Sequence, residues 1–281
     1  MFYKHTHAEE GGKMAITGHY LMVDGIKTYY EMNDGPVDKT LVCLHTSGRE
    51  TRQFHGYMDL LEPKYRVVAI DMPAHGKSWP LPGNKAIEKY KDYGDFFWHA
   101  IQAIGIKDPA IFGCSLGGYI VYYLAQNYPV KAIISAEGLD KRARTRGPEH
   151  DFLDHPDVNP QYSHYAYNES LIGSATHQDA HDFILWGVRQ ECGIARKADL
   201  CMLYDGIDLQ PGQYKVTCPV MIFRGEEDTS IPDQEPENIA KRLINAKKVI
   251  IHRIPGTGHF PMQEAPELTA VYIDEFLSTY M

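Results

Sequence analysis

Six short apolar runs alternate with stretches of helical periodicity, and this alternation restricts the possible fold more than any other feature of the chain. The runs are LVCLH (41–45), YRVVAIDM (65–72), PAIFGCS (109–115), VKAIISAE (130–137), PVMIFRGEED (219–228) and KKVIIHRIPG (247–256). Helical patterns lie at about 51–62, 86–105, 116–128, 234–245 and 265–280. Nearly continuous apolar strands separated by helices predict an α/β fold, with a mostly parallel sheet covered by helices on both faces.

Two earlier segments extend this sheet. HYLMVDG (19–25) and IKTYYEMND (26–34) meet at Asp24-Gly25, which predicts an antiparallel hairpin. Residues 1–14 are polar and are expected to form a flexible leader. We therefore expect one core domain built from residues 15–138 and 214–281.

The alternation is interrupted once, at 139–213. This segment is rich in His, Tyr, Asp and Asn, with helical patches near 167–173, 178–192 and 195–204. Ligands of open α/β sheets bind at the carboxyl ends of the strands, so an insertion between two strands predicts a mainly helical cap, or lid, over that edge. A simple surface elaboration is the alternative.

Composition excludes several classes of protein. Hydrophobic residues make up 43% and charged residues 23%, as in a globular protein, and the net charge of -9 argues against a nucleic-acid partner. No apolar run reaches the roughly 20 residues that span a bilayer, and no apolar core of a signal peptide is present. The five cysteines include no C-x-x-C pair, which predicts reduced thiols and a cytoplasmic location, with a Cys192–Cys201 bond as the alternative. No membrane partner is expected, and a homo-oligomer is left open.

The pentapeptide GCSLG (113–117) lies between a predicted strand and a predicted helix. It matches G-x-S-x-G, in which the glycines allow a strained turn and expose the serine. The following helix places its N-terminal dipole beside negative charge. Ser115 is therefore the candidate nucleophile.

A serine hydroxyl needs a histidine base, and that histidine needs an orienting acid. Among the fourteen histidines, His259 lies in IPGTGHFPMQEAP, after the last strand and before the last helix. Asp228 ends the run PVMIFRGEED. The chain order Ser115, Asp228, His259 is the order of the α/β-hydrolase template.

The chain resembles the α/β-hydrolases from about Tyr20 to its last residue. Four stretches carry the resemblance: LHTSG (44–48), DMPAHGKS (71–78), GCSLGG (113–118), and RGEED together with GTGHFPMQEAP. DMPAHGKS is similar to the D-x-x-G-x-G-x-S loop of the family, with Ala74 in place of the first glycine. The resemblance implies an α/β-hydrolase fold of the serine-hydrolase branch, similar to the esterases and enol-lactonases.

The resemblance also implies the position of the oxyanion hole, where two backbone N–H groups face the developing negative charge. Leu116, after the nucleophile, should donate one and Ser47 the other. Thr46 stands where many relatives have glycine, in a loop similar to the H/N-S-L-G loop of enol-lactonases. The hydroxyls of Thr46 and Ser47 could also reach a ligand.

Glu137 offers a second candidate for the catalytic acid, because it ends the sixth strand, where some α/β-hydrolases carry theirs. Relatives of that kind generally lack a good aspartate in the later loop. Here that loop is intact, so the resemblance favours Asp228. Glu137 is then expected at the pocket or at the hinge of the cap.

Further candidates for substrate binding are His45, Thr46, Arg49, Glu137, Arg189 and Phe260. Arg49 could bind a substrate carboxylate, with a solvated helix start as the alternative. Ring-fission C–C hydrolases also use a cap arginine, which draws attention to Arg189. Those enzymes usually have tryptophan after the histidine, where this chain has Phe260. Histidines 155, 164, 177 and 181 show no convincing metal spacing, and no metal or other cofactor is expected.

The chemistry expected from these residues is hydrolysis of a carboxylic ester, lactone or thioester of a small molecule through an acyl-enzyme. A C–C bond hydrolase or an amidase with the same triad is the alternative among enzymes. Outside enzymes, a small-molecule receptor that retains the triad fits the same sequence.

Overall fold

A computed structural model describes residues 16–61, 63–141, 161–206 and 213–281. An eight-stranded sheet of order β1-β2-β4-β3-β5-β6-β7-β8 lies at its centre. The strands are β1 (Thr17–Val23), β2 (Ile26–Met32), β3 (Thr40–Leu44), β4 (Arg66–Ile70), β5 (Ala110–Cys114), β6 (Ala132–Ala136), β7 (Val220–Gly225) and β8 (Val249–Ile254). Strands β3 to β8 are parallel, whereas β1 and β2 pair antiparallel at one edge. The predicted mostly parallel sheet is confirmed.

Helices cover both faces of this sheet. A 3₁₀ turn (Thr51–Phe54) leads into α1 (His55–Leu60), and the other helices outside the segment between β6 and β7 are α2 (Tyr90–Ile104), α3 (Leu116–Asn127), α7 (Glu235–Arg242), α8 (Pro261–Glu264) and α9 (Pro266–Tyr280). Alternate strand residues enter opposite apolar cores, because successive side chains of a strand point to opposite faces. In β4, Val68 packs in the core that contains Phe97 of α2, and Val67 in the core that contains Tyr57 of α1.

The segment at 139–213, called the insertion below, lies between β6 and β7. Its described part contains α4 (Gln161–Glu169), α5 (Gln178–Val188) and α6 (Gly193–Asp205). Helix α5 contacts α4 and α8, and α6 contacts α2. The helical patch predicted at 167–173 is the end of α4 followed by a loop. Whether the insertion acts as a cap stays a prediction.

Helix α2 begins four residues later than its predicted start at 86. Residues before it form a short bridge between Leu81 and Lys85. The amide of Tyr90 donates to the carboxylate of Asp205, at 2.9 Å, on helix α6. A carboxylate that lies 115 residues away therefore supplies the N-terminal acceptor that local side chains do not.

Two expectations lie outside the described residues, namely the leader at 1–14 and histidine 155. Within the described ranges, no helix combines the length and the apolar character needed to cross a membrane. None of the five cysteines forms a disulfide bond, so the alternative of a Cys192–Cys201 bond is wrong.

Candidate active site

Ser115 forms the turn between β5 and α3. Its backbone has φ 49° and ψ -111°, in a region that residues other than glycine rarely adopt. Its amide donates to the Ala136 carbonyl at 2.7 Å, and its carbonyl accepts from the Tyr119 amide at 2.9 Å. Bonds on both sides hold the strained turn, as expected for strain at a functional position.

Glycines beside Ser115 permit close approach of the neighbouring backbone. A Cβ at Gly113 would lie 2.2 Å from the backbone of Gly117, and a Cβ at Gly117 would lie 2.1 Å from the Leu44 carbonyl oxygen. Only glycine fits at either position. The turn is thereby placed against the end of β3, where residues 45–49 begin.

His259 and Asp228 form a buried hydrogen-bonded pair at the same edge of the sheet. The Nδ1 atom of His259 is 2.8 Å from Oδ2 of Asp228, and the Ser230 amide donates to the other carboxylate oxygen at 2.6 Å. Burial opposes ionisation of Asp228, but the adjacent charge and hydrogen bond of His259 outweigh it and lower its pKa to about 2. An ionised Asp228 holds the proton on Nδ1 and leaves Nε2 of the ring for a second partner.

The loop that carries His259, residues 255–260, is called the base loop. Glu264 accepts hydrogen bonds from the amides of Gly258, at 2.9 Å, and Phe260, at 2.8 Å. The His259 amide donates to the Leu171 carbonyl of the insertion at 2.8 Å. The sulfur of Cys114 lies 3.6 Å from the His259 carbonyl oxygen, so the base loop passes directly beside the residue before Ser115.

Residues 45–49, called the oxyanion loop, are held by buried side chains. His45 donates from Nδ1 to the Thr46 carbonyl at 2.8 Å and accepts the Met72 amide at Nε2, at 2.9 Å. Burial, reinforced by the charge of His75, lowers the pKa of His45 to about 3, so the ring is neutral. Gln53 accepts from the Thr46 amide at 2.8 Å and donates to its hydroxyl at 2.9 Å. The polar groups of His45 and Thr46 are thus bonded inside the protein.

Ser47 lies between two amides that already have partners. The Thr46 amide donates to Gln53. The Gly48 amide donates to Asp199 at 2.8 Å, and the Ser47 hydroxyl donates to the same carboxylate oxygen at 2.7 Å. The amide of Ser47 remains the predicted donor to an oxyanion, together with Leu116 at the start of α3.

Comparison with known proteins places this geometry in a family. The model of the alpha/beta hydrolase family matches residues 41–271, which include every residue of the two loops and of the serine turn. The chain belongs to the alpha/beta hydrolase family. It is 25% identical over 270 residues to YugF, an uncharacterized hydrolase of Bacillus subtilis (strain 168), covering 91% of this chain and 96% of that one.

Solved structures with the same fold include two proteins of low identity. A thermophilic esterase from Thermogutta terrifontis superposes with a TM-score of 0.78 and 19% identity, over 94% of this chain and 99% of that one. The enol-lactonase from Burkholderia xenovorans LB400 superposes with a TM-score of 0.76 and 17% identity, over 92% and 100%. These superpositions confirm the α/β-hydrolase fold.

In this hydrolase, Glu137 lies next to the Asp228–His259 pair. One carboxylate oxygen of each acid and one ring nitrogen of His259 all lie within 4.8 Å of one another. Glu137 accepts from the Gly225 amide, and its oxygen is 3.6 Å from a guanidinium nitrogen of Arg224. Burial, and then the charge of Asp228, raise the pKa of Glu137 well above its usual value and so favour its protonated form.

A histidine and two carboxylates are also the donor types of a metal site. Here His259 Nδ1 is bonded to Asp228 and Glu137 Oε1 accepts from Gly225, whereas Oε2 of Glu137 has no hydrogen-bond partner among the described residues. The arrangement is that of an acid bonded to the histidine with a second buried acid beside it.

Two arginines that the sequence singles out differ in their surroundings. Arg49 is buried with its guanidinium 5.6 Å from the centre of the Phe260 ring, which contradicts the alternative of a solvated helix start. Its Nη2 donates to Asn168 at 2.8 Å, whereas Nε and Nη1 have no acceptor among the residues that the structure describes. Burial, partly offset by Glu191, lowers the Arg49 pKa to about 10. Arg189 is exposed, and its guanidinium lies 5.4 Å from the Tyr165 ring centre.

Sequence reasoning missed three polar residues that hold the two loops, namely Gln53, Asp199 and Glu264. Glu264 lies four residues after Phe260, a spacing that could have identified it as a local acceptor. Gln53 and Asp199 occur in ordinary helical patterns, and nothing in their local sequence distinguishes them from a polar helix face.

Proposed function

We propose that this protein is a serine hydrolase that cleaves a carboxylic ester, lactone or thioester of a small molecule through an acyl-enzyme. The observation that carries the proposal is the buried hydrogen bond from His259 to an ionised Asp228, on a loop that contacts the residue before Ser115. Asp228 binds Nδ1, so Nε2 is the atom that accepts a proton from the serine.

In the proposed reaction, Ser115 Oγ attacks the substrate carbonyl while His259 removes its proton. The amides of Ser47 and Leu116 stabilise the tetrahedral oxyanion, and His259 then protonates the leaving group. Water, deprotonated by His259, attacks the acyl-enzyme and releases the acid. Asp228 holds the ring in one tautomer and stabilises the imidazolium.

Arg49 is the residue through which we expect a substrate carboxylate to bind. Its two buried N–H groups have no acceptor in the described chain, and the Phe260 ring that it contacts follows His259 directly. A carboxylate that accepts from Nε or from Nη1 would gain a charge-assisted hydrogen bond.

The proposal is tested by initial rates on p-nitrophenyl esters from acetate to dodecanoate and on one lactone. We expect turnover of the short esters, a loss of about 10⁴-fold or more in kcat for Ser115→Ala, and no change for Ser278→Ala, whose exposed hydroxyl lies on α9. A fluorophosphonate probe should label Ser115 with one phosphonyl group per chain. We expect rates to be the same after dialysis against EDTA.

The same assay separates the alternatives. Labelling of Ser115 without ester turnover would favour the C–C hydrolase or amidase, which an anilide and a vinylogous diketone then distinguish. The absence of both labelling and turnover would overturn the proposal and favour a receptor.

The role of Arg49 is tested with mono-p-nitrophenyl succinate and the uncharged p-nitrophenyl butyrate. Arg49→Met should raise KM for the charged ester by about tenfold or more, with a smaller effect on the neutral one. Arg52→Met is the matched control, because the Arg52 side chain is half-buried and stacks on Trp186, 4.3 Å from the ring centre. Equal effects on both esters would contradict carboxylate recognition.

A further inference from the structure

Helix α6 of the insertion carries a fully buried carboxylate against the oxyanion loop. One oxygen of Asp199 accepts three hydrogen bonds from the core domain: Ser47 Oγ at 2.7 Å, the Gly48 amide at 2.8 Å and His75 Nε2 at 3.1 Å. Asp199 is the only residue of α6 to which a described hydrogen bond from the oxyanion loop is directed. The other described hydrogen bond between this loop and the insertion runs from Arg49 to Asn168 of α4, at 2.8 Å, and does not involve α6.

The third donor, His75, supplies a matching positive charge. Its Nδ1 donates to the Pro73 carbonyl at 3.0 Å, so the proton on Nε2 is the second proton of an imidazolium. Burial disfavours that charge, but Asp199 outweighs burial and raises the His75 pKa to about 9. Such a buried ion pair is weak evidence of net stabilisation, since desolvation opposes it, and a geometric role is the better explanation.

The bonds around Ser47 fix the direction of its amide. In a trans peptide the carbonyl of one residue and the N–H of the next point in opposite directions. His45 fixes the Thr46 carbonyl at 2.8 Å, which orients the Ser47 N–H from one side. Asp199 fixes the Ser47 side chain and the next amide, which orients it from the other side.

We propose that Asp199 is a positioning residue for the oxyanion hole, through which docking of the insertion sets the direction of the Ser47 amide. This inference rests on the proposed function, in which that amide binds the oxyanion. Asp199 contacts no reacting atom in this proposal. It couples the position of helix α6 to the chemical step.

A second aspartate on the same helix provides a matched control. Asp205 also accepts a backbone amide of the core, that of Tyr90 at 2.9 Å, and pairs with a cation, Lys89, at 3.1 Å. It thus anchors α6 at α2 and has no described bond to the oxyanion loop. A residue that merely anchors the insertion should behave as Asp205 does.

The experiment compares Asp199→Ala, Asp199→Asn and Asp205→Ala in the full chain, with p-nitrophenyl acetate. Asp199→Ala should lower kcat by about 10²-fold, the effect of losing one oxyanion donor, with little change in KM. Asp199→Asn retains an oxygen acceptor and should show a smaller loss. Asp205→Ala should leave kcat unchanged and lower only the unfolding temperature.

A thionoester substrate distinguishes damage to the oxyanion hole from general damage to the protein. Sulfur accepts hydrogen bonds poorly, so an oriented hole favours the oxygen ester over its thiono analogue. We expect that preference to fall in Asp199→Ala and to persist in Asp205→Ala. An unchanged preference, or equal kcat losses in the two variants, would overturn the inference.

Amide hydrogen exchange at Gly48 separates this inference from the proposed function. Faster exchange in Asp199→Ala than in Asp205→Ala would support the role in holding the loop even if the wild-type protein hydrolyses no ester. In that case the proposed function alone would have failed. Exchange as slow as in the wild-type protein would overturn the inference whatever the activity.

Discussion

The base loop and the oxyanion loop meet at Ser115 but are held in different ways. The base loop makes bonds to other backbone groups at Gly256, Thr257 and His259, and two of its amides bond to the Glu264 side chain. The oxyanion loop is tied by Gln53, four residues after it in the chain, and by a distant side chain, Asp199.

The two loops should therefore differ in how well they tolerate side-chain substitutions. The backbone bonds of the base loop survive side-chain substitutions other than at Glu264, so damage there requires loss of a reacting group or a steric clash. The oxyanion loop depends on individual buried polar side chains, and loss of one leaves its partner buried and unsatisfied. The following predictions test this contrast.

The largest effect should come from the acid of the base loop. Asp228→Asn leaves the shape of the pair intact but favours the wrong tautomer of His259, so kcat should fall by about 10⁴-fold. Steady-state rates on p-nitrophenyl acetate measure it. Glu137→Gln should show a much smaller loss, because burial and the charge of Asp228 favour the uncharged form of Glu137. If Glu137→Gln is the more damaging of the two, Glu137 is the orienting acid.

Crowding of the base loop should have the next largest effect. A Cβ at Gly258 would lie 1.9 Å from the Leu171 carbonyl oxygen, so Gly258→Ala must separate the base loop from the insertion. We expect a loss of about 3 kcal/mol in the free energy of unfolding, measured by urea titration, together with reduced kcat. At Gly56, in α1, the nearest atom would be 3.8 Å away, and Gly56→Ala should stabilise by about 0.5–1 kcal/mol. A neutral Gly258→Ala would show that the two segments separate easily.

Sequence patterns predict the local part of this architecture well. Strand-helix alternation predicts the sheet, and the glycines around Ser115 predict a turn that the structure shows with a positive φ. Both depend on residues that are close together in the chain. The predicted start of α2 was wrong because the acceptor for its first amide, Asp205, belongs to the insertion.

The oxyanion loop shows the same limit at the candidate site. Ser47 was selected by resemblance, but the side chain that binds its hydroxyl lies 152 residues away. Periodicity places Asp199 on a helix without indicating what that helix faces. Burial of a charge is decided by tertiary packing, and a single sequence contains no pattern for it.

Gln53 should give a smaller effect than Gly258, confined to the oxyanion loop. Gln53→Leu removes the acceptor of the buried Thr46 amide and should lower the free energy of unfolding by about 2 kcal/mol. Gln126 also accepts a backbone amide, that of Lys215 at 2.7 Å, in an exposed position. Gln126→Leu should therefore change stability by less than about 0.5 kcal/mol. Equal losses in the two variants would mean that burial of the Thr46 amide is unimportant.

The last prediction separates the loops by pH, with a change per pH unit that is smaller than the effects above. His75, between the oxyanion loop and the insertion, has a pKa raised from 6.5 to about 9, so above pH 6.5 the folded protein binds more protons than the unfolded chain. Stability contributed by His75 is present below pH 6.5 and is lost as pH rises towards 9, by at most about 1.4 kcal/mol per pH unit. Asp228, with its pKa lowered from 3.8 to about 2, has the opposite sign and loses its contribution only as pH falls through that range.

Urea titrations at pH 3, 7 and 9 therefore report on different loops. His75→Gln should reduce the loss of unfolding free energy between pH 7 and 9. It should leave the loss between pH 7 and 3 unchanged. His177→Gln, at an exposed side chain, should change the pH dependence of the unfolding free energy in neither range. If the alkaline decline persists in His75→Gln, the charge of His75 does not contribute to holding the oxyanion loop, and Asp199 acts there through its hydrogen bonds to Ser47 and Gly48 alone.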